Sequence, residues 1–173
     1  MPRIYVASLS DYNNGRLHGE WIDVTNLDDG VNDVWAAIKE MLEDSPGIAY
    51  GEGPAEEYAI HDHVGFGAWN LSEYESIETV VKVAAAIAEH GEAVTHWIDN
   101  LNDVDSAIDS FDDAFIGELS ALDYAYDYVN DCVFDNDTPE TLKTYFDYDA
   151  FARDLVMGGD VVEIHGYLFN ENV

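Results

Sequence analysis

The sequence contains few basic residues, and this shortage excludes several classes of partner. Of 173 residues, 6 are Lys or Arg and 37 are Asp or Glu, so the formal net charge is −31. Proteins that bind DNA, RNA or anionic membranes do so through Lys and Arg, which contact phosphate. We therefore expect no nucleic-acid partner and no membrane partner, and a macromolecular partner should be basic.

Cysteine and long apolar runs are also scarce. Cys132 is the single cysteine, so the chain can form neither an intrachain disulfide nor a thiolate metal cluster. The longest run without a charged residue or a histidine, Val64–Ser72, has nine residues, whereas a membrane-spanning helix needs about 20. The first residues lack the apolar stretch of a signal peptide. A cytoplasmic protein is the expectation.

The apolar content nevertheless predicts a folded core. Hydrophobic residues make up 47% of the chain, which includes 7 Phe, 4 Trp and 11 Tyr. Highly charged disordered chains lack this apolar content, so the sequence favours a globular protein.

Two predicted strands at the N-terminus, residues 3–9 and 17–24, flank Asn13-Asn14-Gly15. Asn-Gly suits positive φ, so this pattern predicts a β-hairpin. Residues 57–62 predict a third strand that returns to the hairpin.

Predicted helices dominate the next part of the chain. Apolar spacing predicts a helix over 31–43, with Asp28 or Asp29 as its cap. Ser72 and Glu75 fit a capping box for a helix that continues to about residue 89. Two shorter helices complete the middle third: 92–100 and 103–111.

The C-terminal third mixes both kinds of element. Ser120 and Asp123 predict the start of a helix over 121–133, with a short strand at 115–118 before it. Its predicted inward residues are Leu122, Tyr126, Val129 and Val133. Thr138-Pro139 predicts a further helix start. This helix is predicted to continue through Leu142, Tyr145 and Phe146 and then over 150–156. A final strand or hairpin arm is predicted over 161–169.

These patterns predict an α+β protein built as a chain of small modules. The first, residues 1–62, combines a three-stranded antiparallel sheet with one helix. The second, residues 63–111, is helical, and the third, residues 112–173, is again α+β.

The acidic residues are concentrated in one long segment. No Lys or Arg occurs between Lys82 and Lys143, and the sixty residues between them include fifteen acids. Four of these recur every fourth residue: Asp123, Asp127, Asp131 and Asp135. On a helix their spacing would be about 6 Å, close to that of neighbouring phosphates on a nucleic-acid strand.

Sequence motifs of catalysis are not found. The chain has no phosphate-binding loop, no dinucleotide fingerprint, no zinc-protease motif and no nucleophile elbow. His61 and His63 would share one face of a strand, with His18 a possible neighbour, so a weak metal site is conceivable there. We expect no cofactor, no metal and no enzymatic activity.

Three segments together resemble the ArdA antirestriction family. They are Tyr5–Leu9 with Tyr12–Trp21, then Glu56–Asp62, then Tyr145–Leu155. The resemblance extends over nearly the whole chain, and residues 133–147 resemble the segment called the antirestriction motif in that family.

The resemblance implies an elongated, curved molecule of three modules that pairs into a homodimer. Such proteins imitate bent duplex DNA and occupy the DNA-binding groove of type I restriction-modification enzymes. They are typical of plasmids, conjugative transposons and phages. On this interpretation fourteen carboxylates are the candidate phosphate mimics: Asp103, Asp105, Asp109, Asp112, Asp113, Glu118, Asp123, Asp127, Asp131, Asp135, Asp137, Glu140, Asp147 and Asp149.

Two other classes fit parts of the sequence. An acidic binding module from a halophilic organism would also be rich in Asp and poor in Lys, because bound salt screens the repulsion. A metal-dependent hydrolase would use His61, His63 and nearby acids. A DNA mimic should stay folded in dilute buffer, whereas a halophilic protein should not.

Overall fold

Two three-stranded antiparallel sheets, one in each part of the chain, organise the structure, a computed structural model that describes all 173 residues. The chain divides into an N-terminal unit, Met1–Ile108, and a C-terminal unit, Asp109–Val173. The α+β class is confirmed, whereas the division into three modules stays a prediction. No helix is both long enough and apolar enough to cross a membrane.

The N-terminal unit contains three strands and four complete helices. Its elements in chain order are β1 Arg3–Ser8, α1 Leu9–Asn13, β2 Gly19–Asp23, α2 Val31–Glu43, a 3-10 turn at Pro46–Tyr50, β3 Tyr58–Val64, α3 Ile77–His90 and α4 Ala93–Leu101. The fifth helix, α5 Val104–Ala114, begins in this unit and ends in the next.

The predicted N-terminal sheet is confirmed, with β1 between β2 and β3. The connection from β1 to β2 differs from the predicted loop because it contains α1. Ser8 caps α1 by accepting a hydrogen bond from the Asp11 backbone N–H at 3.2 Å. Leu9 is therefore helical, and β2 begins at Gly19 instead of residue 17.

The predicted helix over 31–43 is confirmed to the residue, but its predicted cap is wrong. Gly30, with φ of 57°, occupies the cap position of α2. The Asp33 carboxylate instead accepts hydrogen bonds from the backbone N–H groups of Asp28 and Asp29, both at 2.8 Å. Both residues therefore precede the cap and are bound by the first turn of the helix, and no side chain caps α2.

The third helix also begins later than predicted. Residues 72–75 form a turn in which the Glu75 N–H donates to the Ser72 carbonyl at 3.1 Å. The cap is Ser76, whose hydroxyl accepts from the Thr79 N–H at 3.0 Å. The helices predicted over 92–100 and 103–111 are confirmed as α4 and α5, with ends that differ by one to three residues.

One buried polar cluster holds the β1–β2 connection. Asp11 is fully buried, and its carboxylate accepts hydrogen bonds from Ser8 at 2.8 Å, Ser45 at 2.6 Å and Arg16 at 2.7 Å. Arg16 also pairs with Glu52. The cluster thus connects α1, the loop before β2 and the segment around the 3-10 turn.

The C-terminal unit packs its helices on the second sheet. After α5 its elements are β4 Phe115–Gly117, α6 Ala121–Tyr128, a π-helical turn at Val129–Val133, α7 Glu140–Tyr145, α8 Tyr148–Gly158, β5 Val161–Ile164 and β6 Tyr167–Asn170. The strand order is β4-β6-β5. The core includes Ala121, Val161 and Leu168, with Leu155 of α8 packed against them.

The predicted last strand is a hairpin. Its two arms, β5 and β6, are joined by His165 and Gly166, with φ of 51° and 88°. Positive φ at both central residues is what a two-residue turn between twisted strands requires.

Candidate acidic binding surface

All fourteen predicted phosphate-mimicking carboxylates are exposed. Asp103 and Asp105 belong to the N-terminal unit, and the other twelve belong to the C-terminal unit. That unit has sixteen acids and two bases, Lys143 and Arg153. Each base has an acidic neighbour, with the Lys143 Nζ 3.3 Å from Glu140 and the Arg153 Nε 3.8 Å from Asp154. The acidic character of the C-terminal unit is therefore a property of its surface.

The predicted row of four stacked aspartates is only partly formed. Asp123 and Asp127 share α6, but this helix changes at Val129 into a π-helical turn. The turn is closed by the Phe134 N–H, which donates to the Val129 carbonyl at 2.8 Å. A π turn holds more residues than an α turn, so Asp131 does not continue the row, and Asp135 lies beyond the helix.

The inward face predicted for this helix is also partly wrong. Val129 is buried as predicted, but Tyr126 and Val133 are exposed. The buried positions of α6 are Ala121 and Ala125. Small residues allow the helix to approach its neighbours closely, whereas Tyr126 stacks on Tyr148 with the ring centroids 3.9 Å apart.

Some of the fourteen carboxylates also stabilise helix ends and turns. Ser120 caps α6, and its hydroxyl donates to the Asp123 carboxylate at 2.7 Å, as the sequence predicted for this pair. Asp147 caps α8 by accepting from the Ala150 N–H at 2.9 Å. Asp135 accepts from the Thr138 hydroxyl at 2.8 Å.

Hydrogen bonds keep two of these exposed carboxylates ionised over a wider pH range. The backbone N–H of Ser106 lowers the pKa of Asp103, and the Thr138 hydroxyl lowers the pKa of Asp135. Bonds to the charged form of a carboxylate favour that form. Both residues therefore carry full negative charge well below neutral pH.

Two of the predicted carboxylates are partly neutralised by bases. Asp105 pairs with Lys82 in the N-terminal unit, and Glu140 pairs with Lys143 one turn away on α7. Exposed pairs of this kind contribute little to stability. They do reduce the charge that these two acids can offer to a partner.

The segment 133–147 forms a loop and the short helix α7. Its ends meet where the rings of Phe134 and Phe146 contact edge to face, with centroids 5.5 Å apart. Pro139 is the residue before α7, consistent with the predicted helix start. The α7 side chains of Leu142 and Tyr145 are 61% and 82% exposed.

The three histidines considered for a metal site, His18, His61 and His63, contact different partners. His61 lies 3.6 Å from Glu73 and packs on the Tyr12 ring, while His63 contacts the Phe66 ring. The His18 Nε2 contacts the Met41 carbonyl at 2.6 Å. No group of three or more His, Cys, Asp or Glu side chains is arranged to hold a metal ion.

An exposed, strongly acidic surface is complementary to a basic partner. Comparison with known families identifies the class. A family model described as "Antirestriction protein (ArdA)" matches residues 4–169. The chain therefore belongs to the ArdA antirestriction family, whose members are inhibitors that act against restriction enzymes. A comparison with curated proteins found no match.

Proposed function

We propose that this protein inhibits type I restriction-modification enzymes by presenting carboxylates in place of DNA phosphates in their DNA-binding groove. The observation that carries the proposal is the exposure of all fourteen candidate carboxylates within an acidic chain whose bases are few. A groove that binds DNA is lined with Lys and Arg. An acidic protein surface can occupy such a groove and exclude DNA.

The mechanism is competitive binding without chemistry. Each carboxylate replaces a phosphate as the acceptor of a Lys or Arg hydrogen bond, and the ions that screen both surfaces are released. Inhibition is stoichiometric and requires neither a metal nor a cofactor. The target is the methyltransferase and specificity core, because that part of a type I enzyme holds the DNA.

A competition experiment tests this function. We expect the purified protein to displace labelled duplex DNA from a type I methyltransferase core at about one binding equivalent, with chelator present. Folding should be checked by circular dichroism in dilute buffer. Failure to displace DNA would refute the proposal. Unfolding in low salt would favour the halophilic binding module, whose acids need bound salt to screen them.

We further propose that the protein acts as an elongated homodimer. The exposed apolar side chains of Leu142 and Tyr145, one turn apart on α7, support a contact between subunits. Pairing of two subunits would remove these apolar side chains from water, which favours association.

Sedimentation at micromolar concentration tests this proposal. We expect a dimer for the wild type and a monomer for the double variant Leu142→Ser, Tyr145→Ser, because the variant removes the apolar contact. Leu17→Ser, at another exposed apolar residue (90% exposed), is the control and should remain dimeric. A compact wild-type monomer would contradict the proposal.

A further inference from the structure

The C-terminal unit contains a cavity with aromatic walls and an acidic rim. Its volume is about 650 Å³, within the range of small-ligand sites. Tyr124, Tyr128 and Phe151 line it together with Asp113 and Asp160. None of the sequence motifs predicted a site here, because its residues come from α5, α6, α8 and the segment before β5.

The three aromatic rings that line the cavity are nearly parallel to one another. The Tyr128 ring stacks with Tyr124 at 5.9 Å and 30°, and with Phe151 at 6.2 Å and 16°. Burial raises the pKa of Tyr124, and the neighbouring groups Tyr128, Cys132 and Asp160 raise it further. The ring of this neutral phenol is an electron-rich surface for a cation.

The rim provides acceptors for a cation with several hydrogen-bond donors. Asp113 and Asp160 are exposed acids, and Asn170 and Asn172 line the same cavity. A nucleic-acid base would also stack on these rings, but the carboxylates would repel its phosphate. The site thus selects a flat cation over a nucleotide.

We propose that this cavity receives an arginine side chain of the restriction enzyme's DNA-binding groove. Guanidinium is planar, so it stacks on aromatic rings and also forms forked hydrogen bonds with carboxylates. Lysine ammonium is a strongly hydrated point charge that does neither as well. The inference rests on the proposed function and adds one specific anchor to an otherwise distributed charge contact.

The first experiment uses small probes and no enzyme. N-acetyl-arginine amide and N-acetyl-lysine amide are titrated separately into the protein, and tyrosine resonances are followed by NMR. We expect the arginine probe to bind about tenfold more tightly than the lysine probe, because it stacks as well as pairs. Equal affinities would overturn the inference.

The second experiment measures the anchor in the complex. Asp113→Asn with Asp160→Asn is compared with a control pair that removes the same charge elsewhere, Asp127→Asn with Asp131→Asn. We expect the cavity pair to lower the affinity for the methyltransferase core about tenfold more than the control pair. Tyr128→Leu keeps every charge but removes an aromatic ring, so it should also weaken binding of both the arginine probe and the enzyme. If the cavity pair does not fold, this variant tests the arginine anchor instead.

The outcomes separate the two proposals. Normal displacement of DNA by the wild type, with equal losses for the cavity and control pairs, overturns the arginine anchor and leaves the proposed function standing. Binding of the arginine probe without any displacement of DNA by the wild type overturns the proposed function, and the partner assignment with it. Binding of free polyamines more tightly than the arginine probe would overturn the choice of occupant.

Discussion

Converting four acids of the C-terminal unit to asparagine is expected to weaken displacement of DNA from a type I methyltransferase core by about thirtyfold, since each exposed pair contributes roughly 0.2–1 kcal/mol. The four are Asp123, Asp127, Asp131 and Asp135. Each is exposed, and asparagine keeps the acceptor that Asp135 offers to Thr138. Fold loss is therefore not the expected cause of the weakening.

The salt dependence of the same variant is the more discriminating measurement. Fewer charges release fewer ions from the partner's basic groove, so the slope of log affinity against log salt should be shallower by about three to four. Asp127→Asn alone should weaken displacement less than about threefold. Loss of all binding on this single change would indicate a specific pocket at Asp127 and contradict distributed mimicry.

A second quadruple variant controls for net charge. Glu40, Glu56, Glu57 and Glu89 are all exposed, and none belongs to the fourteen candidate carboxylates. Converting these four to glutamine removes the same charge from the N-terminal unit. We expect a smaller loss of affinity than for the aspartate variant. Equal losses would show that total charge matters and that the predicted surface does not.

The second large effect concerns stability and its pH dependence. Burial alone would raise the pKa of Asp11, but hydrogen bonds from Ser45, Arg16 and Ser8, together with the charge of Arg16, lower it from 3.8 to about 2. Replacing one partner of such a buried, hydrogen-bonded pair is costly. We expect Asp11→Asn to lower the free energy of unfolding at pH 7 by about 3 kcal/mol.

The sign of the pH effect follows from the lowered pKa. The folded state holds the ionised form, so the stabilisation is complete above the unfolded pKa near 4 and is lost as the pH falls through about 2. Acid also relieves the general repulsion among 37 acidic residues. The informative quantity is therefore the difference between wild type and variant, which should shrink between pH 4 and pH 2.

Urea denaturation at a series of pH values measures this difference. Asp99→Asn is the matched control, because Asp99 is exposed and in the same unit. Its effect should stay within about 0.5 kcal/mol at every pH. A difference between wild type and Asp11→Asn that does not change with pH would show that Asp11 acts through packing and not through its charge.

Local patterns in the sequence determined much of the fold. The apolar period of α2, the Ser120 cap of α6 and the Asn14-Gly15 turn signal each concern residues close in the chain, so the pattern contains the information that builds the element. The acidity and the exposure of the fourteen carboxylates were also predictable. Burying an unpaired carboxylate is costly, and the chain has too few bases to pair with most of its acids.

Only the tertiary structure decided which acid is buried and which aromatic side chains are not. Ser8 and Asp11 have the spacing of a capping pair, but Ser45 and Arg16 reach the same carboxylate from distant parts of the sequence. The π turn after α6 moved Asp131 out of a regular row, and the aromatic cavity arose where four separate segments meet. Such features depend on long-range packing, which competes with local preference and which no periodicity in the sequence records.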